Sequence, residues 1–410
     1  MKKTLIAVAA AAALTTSAFA EITFGSWLRV LTAPVASDGK DTVASMGNSW
    51  GWGARVARID VHAAAEDGKV GFEMGVWNDK NNGLSAGDDA YIWAKPVDAV
   101  KVSYGQYDNP TPLRGDFCYG SWNWLRPQAW LQDDEGLLMS GKANNGLKVE
   151  ITPMDGLYVL VMAPIDTTQA KAEDVYKNLQ TGFAYNIEGV GKLKAQLILK
   201  NTPKVEAAAN TATGYYFDTT TGTAKANDNS KTASDATLDK TVEVAFDLTS
   251  VENLYVGVGF QMVMLDKMED RGLQANQKMK IALAAGYQVN DELKVSASGA
   301  YFMYQKGKND GGQDGRFQAG VGVDYNLGDG MNLSADVRYL AKAGVENNDK
   351  TDRMAFSVGV TKGISSNGYI GAAFQAQTNS GNWATNVIKA NAENNDKLTW
   401  CVPVAISCWF

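Results

Sequence analysis

The feature that most constrains this chain is an alternation of apolar and polar residues with period two, repeated in segment after segment. In RFQAGVGVDYNL, Phe317, Ala319, Val321, Val323, Tyr325 and Leu327 share one face, opposite Arg316, Gln318, Asp324 and Asn326. MNLSADVRYL sets Leu333, Val337 and Tyr339 against Asn332, Ser334, Asp336 and Arg338. IALAAGYQV sets Ile281, Leu283, Tyr287 and Val289 against Lys280, Gly286 and Gln288. Successive side chains of an extended strand point to opposite faces, so these segments are strands with one apolar and one polar face.

The connections sort into two kinds. Short ones recur at 66–69, 96–99, 153–156, 187–190, 250–253, 289–292, 328–330 and 363–367. Long polar ones, including 32–48, 201–239 and 378–397, lie between them. Alternation of tight and long connections belongs to an up-and-down transmembrane barrel, with tight turns on the periplasmic side and longer loops outside. The strand segments are 22–31, 49–66, 69–78, 89–96, 100–107, 147–152, 157–163, 176–187, 191–200, 240–249, 253–265, 278–289, 292–306, 315–327, 331–342, 352–362, 367–377 and 398–410. That makes about eighteen strands in an all-β antiparallel barrel. Sixteen stays open, because 147–163 is the weakest pair. LLMS at 137–140 is left in a loop, since a nineteenth strand would put a long connection on the wrong side. Tyr185, Tyr287 and Tyr325 each lie on the apolar face two residues before a tight turn. Amphipathic rings at one depth suit a membrane interface.

The N-terminus says where the barrel goes. MKKTLIAVAAAAALTTSAFA has two lysines, an apolar stretch and Ala18-Phe19-Ala20 before Glu21, the pattern of a secretory signal peptide over residues 1–20. Residues 21–410 then form a single barrel. Without Lys2 and Lys3, 36 basic side chains face 45 acidic ones, a net charge of −9. Such an acidic chain is not a nucleic-acid binder by bulk electrostatics. No later apolar run is long enough for a membrane helix. No P-loop, dinucleotide fingerprint or His/Cys metal cluster is present, so neither cofactor nor metal is expected, nor catalysis. His62, the only histidine, sits two residues from Asp60 and is expected to be a polar wall residue.

The signal peptide, the alternating strands, the two kinds of connection and the terminal VPVAISCWF together resemble the porins of Gram-negative-type outer membranes. In that terminal segment Val404, Ile406 and Phe410 look like the family's assembly signal, read by the barrel-assembly machinery. Pro403 and Cys408 depart from the pattern, and a bulge near Pro403 is expected, because proline removes a ladder N–H. The resemblance implies an outer-membrane location among lipid, a homotrimer, and a water-filled channel for passive diffusion of small hydrophilic solutes and ions. The alternatives are a sugar-type selective channel with Trp122, Trp124 and Trp130 as a stacking track, a structural or adhesin surface barrel, and a barrel hydrolase.

Porins of this kind fold their third outer loop into the lumen. Here that loop is about 108–145, unusually aromatic for an exposed loop, and its expected constriction residues are Arg114, Asp116, Trp122, Trp124, Arg126, Trp130, Asp133, Asp134 and Glu135. Strand parity assigns Arg29, Arg58, Asp60, Lys192, Lys194, Glu243, Asp247, Arg316, Asp336 and Arg338 to the lumen wall. Charges of both signs suit a polar pore but fix no ion preference. Cys401 shares the lumen parity, and a disulfide to Cys118 of the loop is one expectation.

Overall fold

The computed structural model describes residues 20–47, 57–79, 83–107, 113, 125, 145–164, 172–202, 215–218, 223–226, 236–266, 276–305, 315–341, 352–378 and 398–410. Residues 1–19 of the signal segment and LLMS at 137–140 lie outside them. In chain order the strands are β1 (Ala20–Ser37), β2 (Thr42–Ser45), β3 (Ala57–Ala65), β4 (Val70–Asp79), β5 (Gly83–Val97), β6 (Val100–Gln106) and β7 (Asn145–Met154). They continue with β8 (Leu157–Pro164), β9 (Gln180–Ile187), β10 (Gly191–Thr202), β11 (Tyr215–Asp218), β12 (Thr223–Ala226), β13 (Thr237–Leu248) and β14 (Leu254–Met264). The last are β15 (Asn276–Gln288), β16 (Leu293–Gln305), β17 (Arg316–Gly328), β18 (Met331–Leu340), β19 (Arg353–Ser365), β20 (Gly368–Gln377) and β21 (Thr399–Trp409). A five-residue helix, Ala172–Tyr176, precedes β9.

All but β2, β11 and β12 form one closed antiparallel barrel of eighteen strands, the count the alternation implied. Each strand pairs with its sequence neighbours, and β1 closes the circuit. Ala20–Leu28 of β1 pairs with β3, while Trp27–Ser37 pairs with β21. Closure leaves no unpaired edge, which is what permits a sheet to cross lipid. β2 pairs with the far end of β1 above β3.

The burial pattern is inverted relative to a water-soluble protein. Arg29, Lys194, Glu243, Asp247, Lys280, Asp336 and Arg338 are buried, whereas Phe24, Ile92, Ile281, Val321, Val358 and Ile406 are exposed. Only an apolar surrounding makes that distribution favourable, because contiguous exposed apolar surface of this extent is costly in water. Tyr185, Tyr287 and Tyr325 face outward and pair across strands with Leu157, Leu254 and Leu293, giving a girdle near the tight turns. A second girdle near the other rim is formed by Tyr301 and Phe317, cross-strand partners, with Tyr339 at 5.4 Å from Phe317. Along β17, Phe317 and Tyr325 are roughly 26 Å apart at strand rise. That is about 20 Å of height after a barrel strand's tilt, close to an outer-membrane apolar band.

Several details differ from the sequence reading: β1 runs to Ser37 and β2 forms inside the expected connection 32–48, and β9 starts at Gln180 rather than at 176. β5 starts at Gly83 rather than at 89, so only 80–82 connect it to β4. The segment GLSAGDD carries turn residues and no clean alternation, yet pairing with β4 recruits it. The extra length is absorbed by a bulge, where Met74 pairs with Ala90 but Val76 pairs with Ala86. The polar stretch 201–239 contains a hairpin, β11–β12, and Tyr215, Tyr216 and Phe217 are its signal in the sequence. The irregularity near Pro403 falls on the opposite strand: Thr32 pairs with Val404 and Val35 with Val402, so β1 carries the extra residue beside Pro34.

Candidate functional site

The polar interior is built by strand parity alone. On β1, Arg29 lies over the Trp27 ring at 3.8 Å, and Trp27 meets Trp77 of β4 edge-on at 4.5 Å. Arg58 of β3 binds Asp60 at 2.5 Å and Asp89 of β5 at 2.9 Å, with Trp77 5.2 Å away. His62 Nδ1 is 3.7 Å from Glu73 Oε2, while Asp60 is engaged by Arg58 rather than by the histidine.

Over β9, β10, β13 and β14 the wall is a network of charged and amide side chains. Lys194 of β10 pairs with Asp247 of β13 at 2.5 Å, both nearly inaccessible, and Tyr255 Oη donates to the same carboxylate at 3.3 Å. Gln180 Nε2 donates to Gln196 Oε1 at 3.1 Å. Gln196 and Gln261 each donate an amide N–H to Glu243, which is 0% exposed. Four adjacent strands are thus tied by one row of hydrogen bonds. Burying a carboxylate is tolerable only when it is satisfied in this way. Lys192 lines a cavity of about 580 Å³ at the turn-side rim, with Tyr158 and Asn186.

On the far wall, Ser357 donates to Asp336 at 3.3 Å, and Arg338 is buried beside it on β18. Arg316 pairs with Phe302 in the ladder and so has lumen parity, although its side chain lies outside the description. The same wall mixes large and small side chains: Lys280, Phe302, Gln318, Gln375 and Gln377 are buried, as are Ala282, Ala284, Ser296, Ser298, Ser334, Ala373 and Ala405. Charged and amide side chains therefore line the inner face on both sides of the barrel.

The expected constriction residues Arg114, Asp116, Trp122, Trp124, Arg126, Trp130, Asp133, Asp134 and Glu135 lie outside the described residues. Two leucines of that loop are described. Leu113 is fully buried with Leu160, Met162 and Ala184, and a Cβ on Gly182 of β9 would come 2.4 Å from its Cδ1. Leu125 is equally buried with Leu31, Ala373, Cys401 and Ala405, and a Cβ on Gly371 of β20 would come 2.7 Å from its Cδ1. β9 and β20 stand half the barrel's circuit apart. Cys401 is buried, with Sγ 3.7 Å from Gln375 Oε1, and its expected partner Cys118 lies outside the described residues.

Sequence reasoning missed the wall of β5 to β8. Tyr91, Trp93 and Lys95 share one parity opposite the lipid-facing Ile92, and the same is true of Lys101 and Tyr107 opposite Tyr104. Lys148 pairs with Glu150 at 3.2 Å, and Tyr158 Oη donates to Glu150 at 2.8 Å. The alternation in AYIWAKP carried this signal.

At the closing seam, Val404, Ile406 and Phe410 face outward, while Cys401 and Ala405 are buried. Phe410 is 72% exposed, yet its backbone exchanges two hydrogen bonds with Ser26, each at 2.8 Å.

Fold and wall together define an outer-membrane β-barrel with a polar interior. The family described as "Outer membrane protein beta-barrel domain" matches residues 203–361. No curated protein matches in sequence. Among solved structures, the outer-membrane channel DcaP of Acinetobacter baumannii aligns at 12% identity and a TM-score of 0.50, covering 96% of this chain and 99% of that one. An anion-selective porin from Comamonas acidovorans aligns at 13% identity and 0.48, covering 95% and 100%. OmpT of Vibrio cholerae in its trimer form aligns at 13% and 0.46, covering 95% and 99%. At these identities the likeness is one of fold.

Proposed function

We propose that this protein is a porin: a water-filled outer-membrane channel through which small hydrophilic solutes and ions diffuse passively, without catalysis. The observation that carries the reading is the inverted burial, with charged and amide side chains on the inner face of every wall sector and apolar ones outside. A closed barrel of eighteen strands is wider than side chains of its own wall can fill. A purely structural barrel gains nothing from an inner face lined with Lys194, Glu243, Asp336 and Arg338. His62 sits against a carboxylate rather than a nucleophile, which favours a channel over a hydrolase.

The loop after β6 narrows this channel by crossing it, in our reading. Support comes from Leu113 and Leu125, anchored on the inner faces of opposite walls with eleven residues between them, each seated on a glycine. The expected constriction residues from Arg114 to Glu135 would then stand in the path of the solute, and the charged wall residues opposite them would bias its passage. Assembly as a homotrimer is part of the same reading, and cross-linking in native membranes tests it.

The test of transport is swelling of liposomes carrying the purified protein in isotonic sugars of increasing size. The channel reading expects rates that fall steeply with solute size. It also expects faster entry of the larger sugars when Leu113 and Leu125 are both changed to alanine. Swelling equal to that of protein-free liposomes would contradict it.

A further inference from the structure

Three lysines and three aromatic rings interleave along the wall of β5, β6 and β7. Lys95 Nζ lies 5.6 Å from the Trp93 ring centroid, and Lys101 Nζ lies 5.2 Å from the same ring. Lys101 is also 5.8 Å from Tyr91, which is 5.6 Å from Lys148, which is 4.5 Å from Tyr107. Tyr91 and Tyr107 pack at 4.8 Å. The row starts beside the tight turn between β5 and β6 and rises into the barrel.

Its two ends differ. At the inner end Lys148 and Tyr107 are buried, and Glu150 neutralises Lys148. At the turn-side end Lys95, Trp93, Lys101 and Tyr91 are all half-exposed on the lumen face. Among the described residues neither Lys95 nor Lys101 is paired with a carboxylate. The nearby acids are engaged elsewhere: Glu73 lies against His62 and accepts from the Tyr91 hydroxyl, Asp89 binds Arg58, and Glu150 binds Lys148 and Tyr158. Trp93 is fixed in place, since a Cβ on Gly71 would come 2.5 Å from its ring. A ring quadrupole attracts an ammonium without cancelling its charge. The indole therefore holds two like charges near each other while leaving both available to a third party.

We propose that Lys95, Trp93, Lys101 and Tyr91 form a binding station, near the turn-side mouth, for small organic anions that carry a carboxylate on an aromatic body. The ammonium groups take the carboxylate, and the adjacent rings offer the apolar surface its body needs. The buried Lys148–Glu150 pair ends the station on its inner side. This inference rests on the channel reading and specifies its solute class.

Single-channel recording with sodium benzoate added on the turn side tests it, with sodium acetate and chloride as comparisons. Wild-type protein should show concentration-dependent current interruptions with benzoate at a concentration at least tenfold below that needed for acetate. K95Q/K101Q should lose them at unchanged open-channel stability, K95R/K101R should keep them, and W93L should shorten them. Benzoate interruptions that persist in K95Q/K101Q would overturn the station. Equal response to acetate and benzoate would overturn its aromatic part. A silent wild-type bilayer would instead remove the channel reading beneath it.

Discussion

Glu243 and Asp247 carry the main polar investment of the wall, and each is held differently. Asp247 has a cation partner in Lys194 and a phenol in Tyr255. Removing the cation while keeping the charge should be severe: K194M is expected to lower unfolding stability in urea by about 3 kcal/mol, because it strands a buried carboxylate. The double variant K194M/D247L should recover most of that loss. Glu243 instead accepts two amide donors, so E243L should cost about 2 kcal/mol by leaving buried N–H groups without an acceptor. E243Q should cost less, since the amide keeps an oxygen to accept. At this scale parity in the sequence was sufficient to place Arg29, Lys194, Glu243, Asp247 and Arg338 on the inner face. It was silent on their pairing, because partners such as Lys194 and Asp247 are set by register between strands rather than by spacing within one.

Elements were legible where alternation was clean, and lost where it was not. β15 to β20 follow the apolar periodicity within three residues at each end, and every tight turn was marked by Asp, Asn or Gly. β5 was shortened because Gly83, Gly87 and Asp88 imitate a loop, and only the neighbouring β4 makes them a strand. The last strand shows the same limit. Pro403 announced an irregularity, but the partner β1, which has its own Pro34, supplies the extra residue. At this seam the terminal Phe410 contributes backbone hydrogen bonds to Ser26 and an outward ring. Deleting Phe410 should lower the yield of folded, heat-modifiable barrel several-fold in cells, while the conductance of the barrels that do form stays within about a factor of two. The exposed ring lies outside the pore, and the strand keeps its remaining ladder. Equal yield with altered conductance would refute this division of labour.

The whole molecule is organised by one reversal, apolar outside and polar inside, which period two imposes on a closed sheet. Chain-wide alternation thus made the architecture readable before any contact was known. The arrangement of facing walls was not readable, because it depends on which strands stand opposite one another. Only the closed circuit shows that Leu113 and Leu125 anchor on facing walls, and that aromatic and basic residues cluster on β4 to β8. The central claim is that the enclosed space conducts. Its most direct test is recording from a planar lipid bilayer after addition of the purified, detergent-folded protein in potassium chloride. The account predicts discrete, ohmic current steps of uniform size that scale with salt concentration. A bilayer that stays silent while the same preparation is shown to be inserted and folded would contradict it.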